Sequence, residues 1–310
     1  SRTVYFKKAW QNLGQDTVIE TSVANTVPAF INVGNKPVVA YMTKTKAIKV
    51  SSYDGSKWNT IGTKTISDSV TTIKLATDGT NLYMATLTST GKLQVWKSSN
   101  ATSDPSDLGS ISNVKEPELL VDPKSKNPVV LYIGNGGTDN GKPKIAKYVS
   151  SSKTWSTESI TSSSVSAKHI EIKAAFNSDG SKLYVAALDT SNAAFTARIY
   201  VMSNLAKAGN PAVSMTEVNK LSLAVDGTSL YMAYMNRSKD KTYVRKYTIS
   251  NTTLSGGTDL NDFEGMLRSY HTSIVAKNGI VYLAIDDKGK PNQAQTHVYR
   301  YENNAWHYHG

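Results

Sequence analysis

Apolar residues along this chain recur in short alternating runs rather than at helical spacing. The segment 71–110 shows the pattern: "TTIKLATDG", then "NLYMATLTS", then "KLQVWKSS", then a shorter run around "SDLGS". Runs of this length, rich in Val, Ile, Tyr and Thr and separated by Asp-Gly, Asn-Gly or Ser-Gly, predict strands joined by tight turns. The same unit returns along the chain. "LATDGTNLYMATL" (75–87), "NSDGSKLYVAAL" (177–188) and "AVDGTSLYMAYM" (224–235) are near copies, "AKNGIVYLAI" (276–285) keeps the pattern, and 32–42 and 121–133 are looser versions with Pro before the apolar run. With Ala40, Ala85, Leu131, Ala186, Ala233 and Ala284 as equivalent positions, the steps are 45, 46, 55, 47 and 51 residues.

Four antiparallel strands repeated at this period predict an all-β fold, a β-propeller of six four-stranded blades. The units are 27–62, 71–110, 116–160, 169–213, 218–259 and 268–310, within a single propeller domain spanning 1–310. A β-sandwich would not require six similar units. No helix is predicted with conviction, since the best stretch, 203–212, is interrupted by Gly209 and Pro211. The N-terminal "TVYFKKAWQNLG" matches the outer strands of a unit. Residues 1–14 therefore read as an extra outer strand or a ring closure, with an incomplete or trimmed seven-bladed propeller as the competing count.

The stretch "SSYDGSKW" (51–58) concentrates a hydroxyl, a carboxylate, a glycine and an indole. It resembles the Asp-box turn, Ser-x-Asp-x-Gly-x-x-Trp, of sialidase-type and related bacterial propellers. Ser52, Asp54 and Trp58 match in kind, and Gly55 follows the aspartate one residue early. Weaker echoes lie at 150–159 and 301–310. The resemblance implies a structural turn closing the hairpin between a blade's third and fourth strands, on the face opposite the usual ligand face. Ser52, Asp54 and Gly55 are then turn residues, and Trp10, Trp58, Trp155 and Trp306 pack against blades.

Composition removes several chemistries. Without cysteine there are no disulfides, thiolates or Cys-based metal sites. A net charge of +11 invites a nucleic-acid reading, but only six of the 35 basic residues are Arg and the lysines are scattered over nearly every turn. That distribution fits solubility and protected strand edges, so no specific nucleic-acid partner is expected. No run approaches the roughly 20 apolar residues of a membrane-spanning helix. The first residues lack both an initiator Met and a signal-peptide core, which reads as a mature or trimmed chain.

Catalytic constellations are weak. A sialidase needs three converging arginines and a Tyr nucleophile; Arg198, Arg245 and Arg300 fall instead at similar places in predicted third strands, where they read as structural. Glu118 and Glu171 lie in predicted first strands without defining an acid/base pair. The five histidines include the alternating His307 and His309 but supply no third ligand. Residues 104–107 and 285–292 carry oxygen donors that follow no EF-hand schedule, so calcium stays open while no metal or cofactor is indicated. The longer loops between second and third strands are the best ligand candidates. They supply Asn135, Asp139 and Asn140 in one unit and Asp286, Asp287 and Asn292 in another.

The reading is a non-enzymatic recognition module of a secreted or cell-surface bacterial protein, taking a glycan or a surface protein as partner. It is expected as a monomer or part of a larger polypeptide. A glycoside hydrolase or lyase with an axial site is the enzymatic alternative, and a structural interaction domain of a larger surface protein is the third.

Overall fold

The computed structural model describes residues 24, 26–101, 105–162, 168–260, 269–287 and 295–309. It is an all-β six-bladed propeller in which every blade is a four-stranded antiparallel sheet with its strands in chain order. Blade 1 contains β1 (Ala29–Val33), β2 (Lys36–Met42), β3 (Ala47–Tyr53) and β4 (Trp58–Thr65). Blade 2 follows with β5 (Val70–Thr77), β6 (Leu82–Thr88), β7 (Leu93–Ser98) and β8 (Ser106–Ile111). Blade 3 is β9 (Val114–Val121), β10 (Pro128–Gly134), β11 (Pro143–Val149) and β12 (Thr154–Ser159), and blade 4 is β13 (His169–Phe176), β14 (Lys182–Asp189), β15 (Thr196–Ser203) and β16 (Val213–Thr216). Blade 5 comprises β17 (Val218–Asp226), β18 (Ser229–Asn236), β19 (Lys241–Ser250) and β20 (Thr253–Asp259). Blade 6 comprises β21 (Ser269–Lys277), β22 (Ile280–Asp287), β23 (Gln295–Glu302) and β24 (Ala305–Tyr308). Among the described residues the only helical pieces are two three-residue 3-10 turns. Trp10 and the segment 1–14 lie outside the described residues, as does Asn292. The described residues divide into two compact units, one up to Ser110 and one from Ile111 onward.

The second strands organise the packing. In a strand, successive side chains point to opposite faces, and β6 and β10 are buried at every position. In β14 the alternation sorts neighbours. Leu183, Val185 and Ala187 pack with Leu131, Ile133 and Ile145 of blade 3. Tyr184, Ala186 and Leu188, on the other face, pack with Leu230, Met232 and Tyr234 of blade 5. Blades 5 and 6 meet through Ala233, Val244, Leu283 and Ile285. In the first unit, Val38 and Ala40 of blade 1 meet Leu82, Met84 and Trp96 of blade 2. Fourth strands are largely exposed or half-buried.

The repeat extends to polar pairs. Tyr83, Tyr231 and Tyr282 stand directly opposite Lys97, Lys246 and Arg300 on the third strands. Their cationic ends lie 5.6, 5.7 and 6.0 Å from the ring centroids. These are cation–π contacts in which the Tyr83 and Tyr231 rings are buried, and they give part of the positive charge a structural use.

Tyr-Trp pairs close three outer hairpins. Tyr53, Tyr148 and Tyr301 oppose Trp58, Trp155 and Trp306 in register, with ring centroids 5.5, 5.3 and 5.0 Å apart. Between Tyr53 and Trp58, Asp54 Oδ1 accepts hydrogen bonds from the backbone N–H of Ser56 and of Lys57, both 2.9 Å, and Oδ2 accepts from the Asn59 amide at 2.7 Å. Gly55 occupies the left-handed region at φ 105°. The same carboxylate-to-backbone arrangement appears at Asp78, which accepts from Thr80 and Asn81, and at Asp122, which accepts from Lys124 and Ser125. Ser52 is buried in β3.

These bonds to Lys57 and Ser56 hold the Asp54 carboxyl below its ordinary value of 3.8. A depressed folded-state value stabilises the fold above the unfolded value, and the contribution fades as pH falls through the folded one. Asp54→Ala should therefore melt at a lower temperature than the parent at pH 7, with the gap narrowing progressively below about pH 4, as measured by thermal denaturation across pH.

Candidate functional site at the junction of blades 4 and 5

One position of the repeat differs in kind. On the third strand, directly opposite the residue preceding the repeat's alanine, the six blades carry Ser51, Trp96, Ala146, Tyr200, Arg245 and Tyr299. Only blade 5 places a charge there. Arg245 opposes Asp259 across β19 and β20 and forms a bidentate pair with it, Nε to Oδ1 at 2.7 Å and Nη2 to Oδ2 at 2.8 Å. The remaining contacts come from both blades. Nη1 lies 2.9 Å from Sδ of Met215 on β16, and the Tyr234 hydroxyl donates to Asp259 at 3.2 Å.

Two aromatic rings complete the arrangement. Tyr234 and Tyr243 stack with centroids 5.8 Å apart and planes at 26°, and the Arg245 guanidinium carbon lies 5.8 Å from the Tyr234 centroid. Arg245 and Asp259 remain 26% and 30% exposed, so donors and acceptors not used in the pair can reach a ligand. Burial and the Asp259 charge raise the Tyr234 phenol well above the usual range, keeping it a donor. The Asp259 hydrogen bonds likewise raise Arg245.

A local irregularity aligns the pair. The β19–β20 register shifts between Lys246 and Thr248, and the intervening Tyr247 turns into the core at 4% exposure. Gly257, at φ 61°, permits this because a Cβ there would meet the Tyr247 ring at 3.0 Å. Arg198, Arg245 and Arg300 prove not to be equivalent. They oppose Ala187, Met232 and Tyr282 respectively, three different positions of the repeat.

The loop residues singled out in the sequence sit as follows. Asn135 is exposed just after β10, its N–H donating to Asn113 O at 2.8 Å. Asp139 pairs with Lys144, whose hydrogen bond lowers the carboxyl from its ordinary value. Lys115 Nζ donates to Asn140 Oδ1 at 3.4 Å. Gly134 is required beneath this loop because a Cβ would lie 2.2 Å from the Asp139 carbonyl oxygen. At the end of β22, Asp286 accepts from the His271 N–H at 2.7 Å and lies 2.9 Å from its Nδ1; Asp287 is the final residue of that strand.

The first-strand carboxylates join blades. Glu118 on β9 pairs with Lys173 on β13, and Glu171 on β13 accepts the Leu221 N–H of β17 at 3.1 Å. Burial raises the Glu171 carboxyl; burial opposes charge on Lys173, but the Glu118 carboxylate leaves it raised. A third link, Ser222 to Thr272 at 3.0 Å, joins blades 5 and 6. Among the described residues no group of three or more His, Asp and Glu is arranged to hold a metal.

No family model matches this chain, and no curated protein matches it. Solved structures do. The SapL1 lectin in complex with α-methyl fucoside superposes with a TM-score of 0.61 at 11% identity, covering 93% of this chain and 96% of that one. AofleA from Arthrobotrys oligospora gives 0.60 at 9% identity, covering 93% and 87%. A mutant of the Aleuria aurantia lectin bound to Fucα1-6GlcNAc gives 0.59 at 12% identity, covering 94% and 97%. Identities this low carry the fold alone.

Removing the charge of Asp259 leaves Arg245 half-buried without its anion. Asp259→Asn should lower stability by about 1–2 kcal/mol, between the worth of a charged hydrogen bond and that of an exposed ion pair. It should also bring Tyr234 ionisation to lower pH. Denaturant melts and ultraviolet phenolate titration read the two effects.

Proposed function

We propose that this protein is a non-enzymatic glycan-recognition module working outside the cell, with its site at the junction of blades 4 and 5. The observation that carries the reading is the half-exposed Arg245–Asp259 pair beside the Tyr234 and Tyr243 rings, at a repeat position uncharged in the other blades. Sugars present hydroxyls at fixed angles around a ring with apolar C–H faces. A carboxylate accepts from adjacent hydroxyls and a guanidinium donates to sugar oxygens, while the buried Tyr234 and Tyr243 rings back the pair from the core side. The pair is preorganised, so little ordering remains to oppose binding.

The fucoside-bound lectins of the same fold support this reading at a coarse level, without fixing which sugar is taken. The second-to-third-strand loops that carry Asn135, Asp139, Asn140, Asp286, Asp287 and Asn292 would then serve as secondary contacts or as a surface for a protein partner. A glycosidase reading is less favoured because Glu118 and Glu171 bridge neighbouring blades instead of facing each other as acid and base.

A glycan array followed by calorimetry tests the proposal. Wild type should bind a defined glycan set, and Arg245→Gln should weaken that binding at least tenfold while remaining folded, as expected for loss of charged hydrogen bonds. Retention of full affinity in a folded Arg245→Gln would sink the site assignment. An array without binders, together with turnover-free capture of a defined surface protein, would favour the interaction module.

A further inference from the structure

The same junction holds a second arginine with an unusual set of contacts. Among the described arginines, Arg198 pairs with Asp189, Arg245 with Asp259 and Arg300 with Glu302. Arg237 differs. It is exposed on the turn between β18 and β19, and its contacts among the described residues are to neutral groups. Its guanidinium carbon lies over the Phe195 ring, 3.9 Å from the centroid. Nη1 donates to the Ala193 carbonyl at 2.7 Å, and its backbone N–H donates to Glu217 O at 2.9 Å.

Holding a long side chain in one place opposes its rotamer entropy, and a solubility charge needs no such placement. The scaffold beneath it is itself constrained. Phe195 is held at φ 44° and Glu217 at φ 60°, in a region bulky residues rarely occupy. Glu217 N–H donates to Ala194 O at 2.7 Å, and Val218 N–H to Phe195 O at 3.3 Å. The loop of blade 4, the entry to β17 and the Arg237 turn are thus stitched in sequence. The ring that supports Arg237 packs against the cluster containing Tyr234 and Tyr243, while Lys239 Nζ lies 5.3 Å from the Tyr243 centroid.

A guanidinium has five N–H donors in a planar fork, and protein acceptors engage one side of this fork. The open side suits an oxyanion, for which Arg is the fitting residue. The turn 236–241 contains Arg237, Lys239 and Lys241 against the single carboxylate of Asp240, so its field favours an anion. We propose that Arg237 is the anion-binding element of this junction and that the saccharide taken there is acidic, bearing a carboxylate or a sulfate. This rests on the glycan reading above and narrows it to a substrate class.

The test is calorimetry on the full chain with trigalacturonate, its fully methyl-esterified form, a heparin tetrasaccharide, and an oligothymidylate of matched charge. At least one acidic sugar should bind about tenfold or more tightly than the neutral ester, the scale of a charge-assisted hydrogen bond. Arg237→Gln should collapse that ratio towards one. Arg237→Lys, which keeps a cation over Phe195 but loses the fork, should retain only part of it, and the uronate-to-sulfate order identifies which oxyanion is read. Equal binding of acid and ester, both weakened by Arg245→Gln, would keep the glycan reading and overturn this one. A full acid preference in Arg237→Gln, an oligothymidylate bound as tightly as the acidic sugars, or no binding by any of the saccharides would also overturn it.

Discussion

A strand that is apolar on both faces cannot be satisfied by one neighbour, and the second strand of the blades imposes that constraint throughout. β14 divides its side chains between the clusters shared with blade 3 and with blade 5, and β18 divides its own between blades 4 and 6. Blades 4 and 5 therefore each supply half of two cores. Burying a large apolar side chain stabilises by roughly 1.5–3 kcal/mol, so blades 3 to 6 are energetically tied to one another in sequence, as blade 1 is to blade 2, even where few backbone hydrogen bonds cross between them. Fourth strands and turns carry no such demand, and there the sequence is free to hold Lys, Ser, Asn and Asp.

That division explains what the chain discloses in one dimension. Two-sided burial leaves near-continuous apolar runs such as Leu82–Leu87, and the following and preceding turns need Asp or Gly at fixed offsets, so strand type, period and blade number are legible. The junction site is not legible for the converse reason. Arg245 and Asp259 lie on separate strands brought into register by a bulge at Gly256 and Gly257 opposite Tyr247, and Met215 comes from another blade. Without the register, Arg198, Arg245 and Arg300 look like one repeated residue; with it, they face different neighbours. Phe195 carries no sequence mark of its left-handed backbone, so the seat of Arg237 is equally hidden.

The carboxylates divide along similar lines. Asp54 looks reactive beside Ser, Gly and Trp, yet it, like Asp78 and Asp122, has its oxygens turned to backbone N–H groups two and three residues on. In Asp54 the backbone bonds of its own turn hold the carboxyl below its ordinary value, the opposite of a carboxyl tuned to exchange a proton near neutrality. Glu171 is shifted upward by burial, but its oxygen accepts a backbone N–H from the next blade. Proximity of polar letters in a repeat thus reports turn closure before it reports chemistry.

Deviation from the repeat is the more discriminating signal. A propeller built from similar blades can conserve its cores while altering single outer positions, because a half-exposed side chain on a third strand contributes little to the packing that holds blades together. Blade 5 departs from the repeat twice at one junction: a third-strand arginine locked to an aspartate, and another, on the turn before that strand, placed over a phenylalanine and in no ion pair among the described residues. The first satisfies its own charge against rings held by the core; the second leaves an exposed cation. In the glycan site proposed above, an internally neutral clamp beside an unbalanced fork would separate shape from charge, the clamp reading hydroxyl geometry and the fork an anionic substituent.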